Sequence, residues 1–189
     1  WPPSSASIEN ITGYPQTYTL SCESRSAVDW ARYFGVDIAE TEFLERLPLS
    51  DDPNVGFVGY YNDFTGQVPP YSYGVYADPV ARLLRDYGLA AGAVKGLAVD
   101  DLRSEIAAGR PVIAWVIFGV SSGYSLDYTA ADGQTTRVAP YEHTVIVIGY
   151  DETSITVLDG AWIYQRSLDQ FMNSWDVLGN MAVIYQPEE

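Results

Sequence analysis

The chain has 189 residues, enough for one domain that buries roughly 70% of its unfolded surface. Ten Lys and Arg against 25 Asp and Glu give a net charge of −15, and Lys95 is the single lysine. Such a surface repels phosphate backbones and anionic membranes, so nucleic acid is not an expected partner. One cysteine and one histidine leave no internal disulfide and argue against a structural zinc site, which usually takes four such ligands.

Residues 1–13 open on WPPSSAS and read as a polar N-terminal extension from which a leader has been removed. That reading points to an extracellular or cell-surface location. Residues 14–187 read as a single domain. The first helix is expected from Leu20 to Gly35, with Ser21 at the N-cap, Cys22 opening it and Glu23 in its first turn. Leu20, Ser24, Ala27, Val28, Ala31 and Phe34 recur at helical spacing along one face. A shorter helix covers about Glu40 to Leu47 and stops at Pro48.

Residues 50–78 are rich in Gly, Pro and Tyr and carry no regular period, which marks a long functional loop. Its aromatics suit either the lining of a cleft or a satellite core beneath the loop. Asp78 and Pro79 then start a helix that runs to Tyr87, and Asp100 caps another with Leu102 and Ile106 facing inward. The longest apolar run, 111–120, is half of what a bilayer-spanning helix needs and reads as a buried strand, so no membrane-spanning segment is expected. A hairpin is expected around ADGQ, and EHTVIVIGYDETSITVLDG reads as two strands joined by a tight turn. Ser167 and Gln170 match a capping box for a helix reaching Trp175, and NMAVIYQ closes the chain with a strand. Helices lead, strands follow, and βαβ alternation is lacking, so the class is α+β with an antiparallel sheet.

Four residues carry the candidate chemistry. Cys22 at a helix N-terminus has the backbone dipoles that favour a thiolate, with Glu23 opposing them; a small buried hydrophobe is the plain alternative. His143 begins one strand of the hairpin and Asp159 ends the other. A three-residue turn places them opposite each other, on one face, where the carboxylate orients the imidazole; a two-residue turn puts residue 160 there instead. Gln16, six residues before Cys22, supplies an amide N–H for an oxyanion, and the Cys22 backbone N–H supplies a second. Trp162 and Trp175 are candidates to shield the His143–Asp159 contact from water.

The order Gln16, Cys22, His143 in YEHTVIVIGYD and Asp159 in VLDG resembles papain-like cysteine peptidases. It is most similar to the bacterial branch of bacteriocin-processing, double-glycine-leader peptidases. SCESRSAVDWARYFGV, SYGVYADPVARLLRDYG, AAGRPVIAWV and SLDQFMNSW extend the resemblance from about residue 14 to 185. It implies a papain-like fold, with the Cys helix on one side of a cleft and the His sheet on the other. It also implies peptide or amide hydrolysis by a Cys-His-Asp triad, with no cofactor and no metal. SCES departs from the Cys-Gly pair common in peptide-cleaving members, and Glu23 is expected to narrow the site or raise the thiol pKa. Acyl or γ-glutamyl transfer uses the same parts with an amine as acceptor, and a binding module that keeps the fold is the non-catalytic alternative. The sequence does not set the oligomeric state.

Overall fold

A computed structural model describes residues 1–187. In chain order, strand β1 is Ala6–Ser7, and helices α1, α2 and α3 are Cys22–Tyr33, Glu40–Arg46 and Ala77–Asp86. Strand β2 (Ala91–Val94), helix α4 (Val99–Ala107) and strand β3 (Val112–Ile117) follow. Then come β4 (Leu126–Thr129), β5 (Thr135–Val138), β6 (Glu142–Tyr150), β7 (Ser154–Asp159) and β8 (Trp162–Ser167). Helix α5 (Leu168–Asp176) and strand β9 (Ala182–Tyr185) close the chain. The class is α+β, as the pattern of elements implies.

The helices lie close to their expected bounds, α1 and α2 opening at Cys22 and Glu40 as expected, but their capping differs. Ser21 precedes α1 without capping it; its hydroxyl donates to Glu40 Oε1 at 2.6 Å. Asp78 and Asp100 sit inside the first turns of α3 and α4 rather than at the caps, where a carboxylate still favours the helix dipole. Ser167 does cap α5, accepting the Gln170 N–H at 3.1 Å. Strands β2 and β8 were not expected. AGAV has no alternation to read, and WIYQRS is largely exposed.

The main sheet runs β2-β9-β3-β6-β7-β8 with every pairing antiparallel, and β4 with β5 forms the separate ADGQ hairpin. Residues 6–8 of the N-terminal segment add to β6 beyond the end of β3, pairing Ala6 with Tyr150. All six β3 residues are buried, which only a central strand covered on both faces allows. Helix α1 packs on β3 and β6, and α5 packs across β3, β7 and β8. Trp30, Trp115 and Trp175 are wholly buried, and each indole N–H reaches a backbone carbonyl: Pro111 at 2.8 Å, Val75 at 3.0 Å and Met181 at 2.9 Å.

The β6–β7 hairpin corrects the expected register. The turn lies at Glu152–Thr153, because Asp151 Oδ1 accepts the Thr153 and Ser154 N–H groups at 2.7 and 2.8 Å. Tyr150 then pairs with Ile155 and Gly149 with Thr156. Continued unbroken, this register would turn His143 and Asp159 to opposite faces. A bulge between Val147 and Gly149 inserts one residue into β6, so Val147 pairs with Val157 and Ile146 with Leu158. Asp159 therefore comes level with Val145, two residues from His143 and on its face.

Trp30 ties α1 to the start of β3. We predict that Trp30→Ala destabilises the chain by about 3–5 kcal/mol, the usual cost of truncating a buried aromatic, read from urea unfolding followed by far-ultraviolet circular dichroism.

Candidate functional site

Residues 14–21 are an irregular segment held by buried charge. Glu40 accepts the Thr17 N–H at 3.0 Å, the Thr17 hydroxyl at 2.6 Å and the Ser21 hydroxyl. Asp29 accepts the Tyr14 N–H at 3.1 Å. Arg25 neutralises both acids, meeting Asp29 at 2.6 Å and Glu40 at 3.2 Å. This network fixes Gln16 and the start of α1, and so the direction in which Cys22 points.

Cys22 is buried at 7% exposure, yet it lines a cavity of about 290 Å³. Gln16, Tyr73, Phe118, Glu142 and His143 border the same cavity. The backbone N–H of Thr144, next to His143, lies in hydrogen-bonding reach of the Cys22 sulfur. On the far side of the ring, His143 Nε2 meets Asp159 Oδ1 at 2.7 Å. Asp159 Oδ2 accepts the Tyr164 hydroxyl at 2.6 Å. Burial alone would raise the Asp159 pKa, but the His143 and Tyr164 hydrogen bonds and the charge of Arg166 hold it below the usual range. An ionised Asp159 only accepts, so Nε2 carries a proton and Nδ1 is the remaining nitrogen of the ring.

Three of the four residues singled out in the sequence are thus neighbours around one cavity or one hydrogen bond away from it. Gln16 is at the wall as well, but its amide N–H groups donate to the Tyr18 and Thr19 carbonyls at 2.8 and 3.1 Å. The expected tryptophan shield is not there. Trp162 is 75% exposed, and Trp175 is core, packed on Phe171. Phe118 lies edge-on to His143 at 5.3 Å, and Tyr164 covers Asp159. Of the tyrosines in the long loop, Tyr73 reaches the cavity wall and bonds Tyr76 beneath it at 2.8 Å. Tyr60 and Tyr71 are exposed, while Phe57, Val58, Val75 and Tyr76 join the main core, so the loop is part cavity lining and part of that core rather than a satellite.

Sequence reasoning missed Glu142. It is the one acidic residue of a strand that is apolar from Val145 to Ile148, and that contrast was its signal. Its Oε1 is sealed from solvent and has no hydrogen-bond partner among the described residues. Glu23 is buried at 1% exposure; its Oε1 accepts the Val75 N–H at 2.7 Å and its Oε2 takes the Cys22 thiol at 2.8 Å. Gly74 makes room for both acids: with φ at +146°, a Cβ there would collide with Glu23 Oε1 and come within 2.9 Å of Glu142 Oε2. Burial, then the charges of Glu23 and Glu142, push the Cys22 thiol well above its ordinary value. Burial also raises Glu23 and Glu142, the latter strongly and further through Glu23. The helix N-terminus does not make a resting thiolate here, as the sequence reading of Cys22 allowed. Cys22, Glu23 and Glu142 are also the cluster that could hold a metal ion.

Residues 8–183 match the Peptidase C39-like family. The chain belongs to that family. Its curated relative YvpB of Bacillus subtilis (strain 168), an uncharacterized protein, is 26% identical over 199 residues, covering 95% of this chain and 74% of YvpB. A Bacillus anthracis protein described as a C39-like peptidase superposes with a TM-score of 0.86 at 22% identity, over 98% of both chains. The peptidase domain of Streptococcus ComA, a bifunctional ABC transporter of a quorum-sensing pathway, gives 0.55 at 14% identity, over 94% of this chain and 100% of that domain. The Carica candamarcensis cysteine protease CMS1MS2 gives 0.52 at 16%, over 98% and 100%. The Peptidase C39-like chain thus has the papain-like fold, an N-terminal helical part packed on a C-terminal antiparallel sheet, and its family and fold are those of cysteine peptidases. No helix among the described residues is long and apolar enough to cross a membrane.

Two outcomes follow from the buried acids. The Glu142 carboxyl holds its proton more tightly in the folded chain than in the unfolded one, which releases it near the ordinary value of about 4.3. Stability contributed by that proton is complete below this value and is lost as pH rises toward the raised folded one. We therefore expect Glu142→Gln to gain stability relative to the parent as pH rises above about 5, measured by urea unfolding at each pH. The thiol should react with iodoacetamide chiefly in the alkaline range, and Glu23→Gln, which removes one charge but keeps an acceptor for Val75, should move that profile to lower pH.

Proposed function

We propose that the chain is a cysteine peptidase or amide hydrolase in which Cys22 is the nucleophile, His143 the general base and acid, Asp159 the residue that orients the ring, and Gln16 an oxyanion donor. The observation that carries this reading is the His143–Asp159 contact at 2.7 Å, with His143 and Cys22 lining the same cavity. Nε2 is occupied by Asp159, so Nδ1 is the nitrogen with a lone pair for the thiol proton.

In the resting site that proton is shared with Glu23. A peptide carbonyl entering the cavity brings an electrophile to the sulfur. The thiol proton passes to His143 Nδ1 as the sulfur–carbon bond forms, which avoids a free thiolate beside two carboxylates. The oxyanion draws on the Cys22 backbone N–H, one of the unpaired donors at the start of α1. Gln16 joins by exchanging its longer bond, to Thr19, for the substrate oxygen. The protonated ring then gives its proton to the leaving amine, and water releases the acyl group. The cavity walls, led by Tyr73 and Phe118, suit an extended peptide with apolar side chains at the cut.

The decisive assay is hydrolysis of a fluorogenic peptide library by the purified chain, with E-64 labelling mapped by mass spectrometry. Cys22→Ala and His143→Ala should abolish turnover, and Asp159→Asn should lower kcat by about 10²–10⁴-fold, the usual worth of a positioned acid–base group. Undiminished hydrolysis by Cys22→Ala would remove the proposal.

A further inference from the structure

We propose that Cys22, Glu23 and Glu142 form a binding site for one thiophilic divalent cation of the zinc class, which silences the chain by taking the sulfur out of chemistry. The sulfur and one carboxylate oxygen from each glutamate lie within 4.8 Å of one another. Tetrahedral zinc, with bonds of about 2.0–2.3 Å, holds its ligands about 3.4–3.7 Å apart, so adjustments of about an ångström complete the set.

A second observation, separate from that clustering, points to a ligand. Glu142 retains some exposure as a residue, but its Oε1 has none and no partner. A buried carboxylate oxygen without a partner is costly, and a cation is the partner such an oxygen lacks. Glu23 is prepared in the same sense: Val75 occupies Oε1, and Oε2 faces only a thiol proton that a metal would replace. Gly74 keeps the space beside both acids open. Binding displaces the thiol proton, and both glutamates bind as carboxylates. The thiolate and two carboxylates then balance the dication to a net charge of about −1. The sulfur selects zinc, cobalt or cadmium over magnesium and calcium, which prefer all-oxygen sites. The cavity leaves the fourth position to water, and His143 keeps its bond to Asp159.

Metal binding stands apart from the proposed hydrolysis; only the silencing rests on it. The test is titration of the purified, metal-free chain with Co²⁺ and Zn²⁺ alone. One equivalent of Co²⁺ should give a near-ultraviolet thiolate-to-cobalt charge-transfer band, displaced by Zn²⁺ and absent in Cys22→Ala. One equivalent of Zn²⁺ should protect Cys22 from iodoacetamide. Glu142→Gln and, independently, Glu23→Gln should weaken Co²⁺ binding by more than the ~10-fold cost of losing an outer-shell partner, with folding checked by circular dichroism. No band, or a band of unchanged affinity in a folded glutamine variant, overturns the site. A band in a chain that hydrolyses no peptide keeps the site and removes the peptidase reading; hydrolysis indifferent to Zn²⁺ at saturation overturns the silencing.

Discussion

The structure depends on one seam, where the first two turns of α1 lie against the head of β6. Ser26 and Thr144, 118 residues apart, share a buried hydrogen bond of 2.9 Å between their hydroxyls. Ala27, Val28 and Ala31 are wholly buried behind it, and their small side chains let the helix approach closely. The same approach brings the Cys22 sulfur to the Thr144 N–H. A shift of one helical turn at this seam would carry Cys22 about 5.4 Å along the axis and out of reach of β6. The cavity, the thiol environment and the neighbourhood of His143 are all consequences of where that helix stops.

Around this seam the chain buries acids in two different ways. Asp29 and Glu40 are structural: Arg25 bridges them, Arg32 adds a second cation to Asp29 at 2.9 Å, and backbone and hydroxyl groups fill their lone pairs. A buried carboxylate so compensated is tolerable. Glu23 and Glu142 have no such cation. Burial raises both, Glu142 strongly, and the groups that face Glu23 are the Val75 N–H and the Cys22 thiol. That contrast separates the acids that hold segment 14–21 in place from those that belong to the site.

The elements legible in the sequence are those whose burial has a period. Helix α1 could be read from Ala27, Val28 and Ala31, β3 from its apolar run, and the β6–β7 hairpin from its Val and Ile content. Strand β8 was not legible because its exposed Trp162 and Ile163 carry no alternation. Cys22, His143, Asp159 and Gln16 could be singled out because a lone cysteine and a lone histidine narrow the choice. The reason His143 and Asp159 meet was hidden. Turn type, set by the Asp151 carboxylate, and a one-residue bulge near Ile148 each reverse the facing of a strand, and neither has a hydropathy signal. Glu142 lay in plain view, but its burial depends on Gly74 and the long loop closing over it, a contact between distant segments.

The balance at Cys22 turns on magnitudes. The N-terminus of a helix offers an anion about 0.3–1 kcal/mol at an exposed site and up to ~2 kcal/mol when partly buried. A single unit of pKa is about 1.4 kcal/mol, and burial of a thiol beside carboxylates moves it by more than the dipole returns. Glu23 occupies the position after Cys22, so the same turn that delivers the dipole also delivers, after burial itself, its largest opponent, and the thiol hydrogen points to that carboxylate at 2.8 Å. The thiol therefore rests neutral, held against an acceptor that stores its proton, while His143 lines the same cavity with one nitrogen committed to Asp159. A site arranged in this way is quiet until something changes the charge around the sulfur, and the two agents that fit the cavity are a carbonyl that draws the proton to His143 and a cation that displaces it.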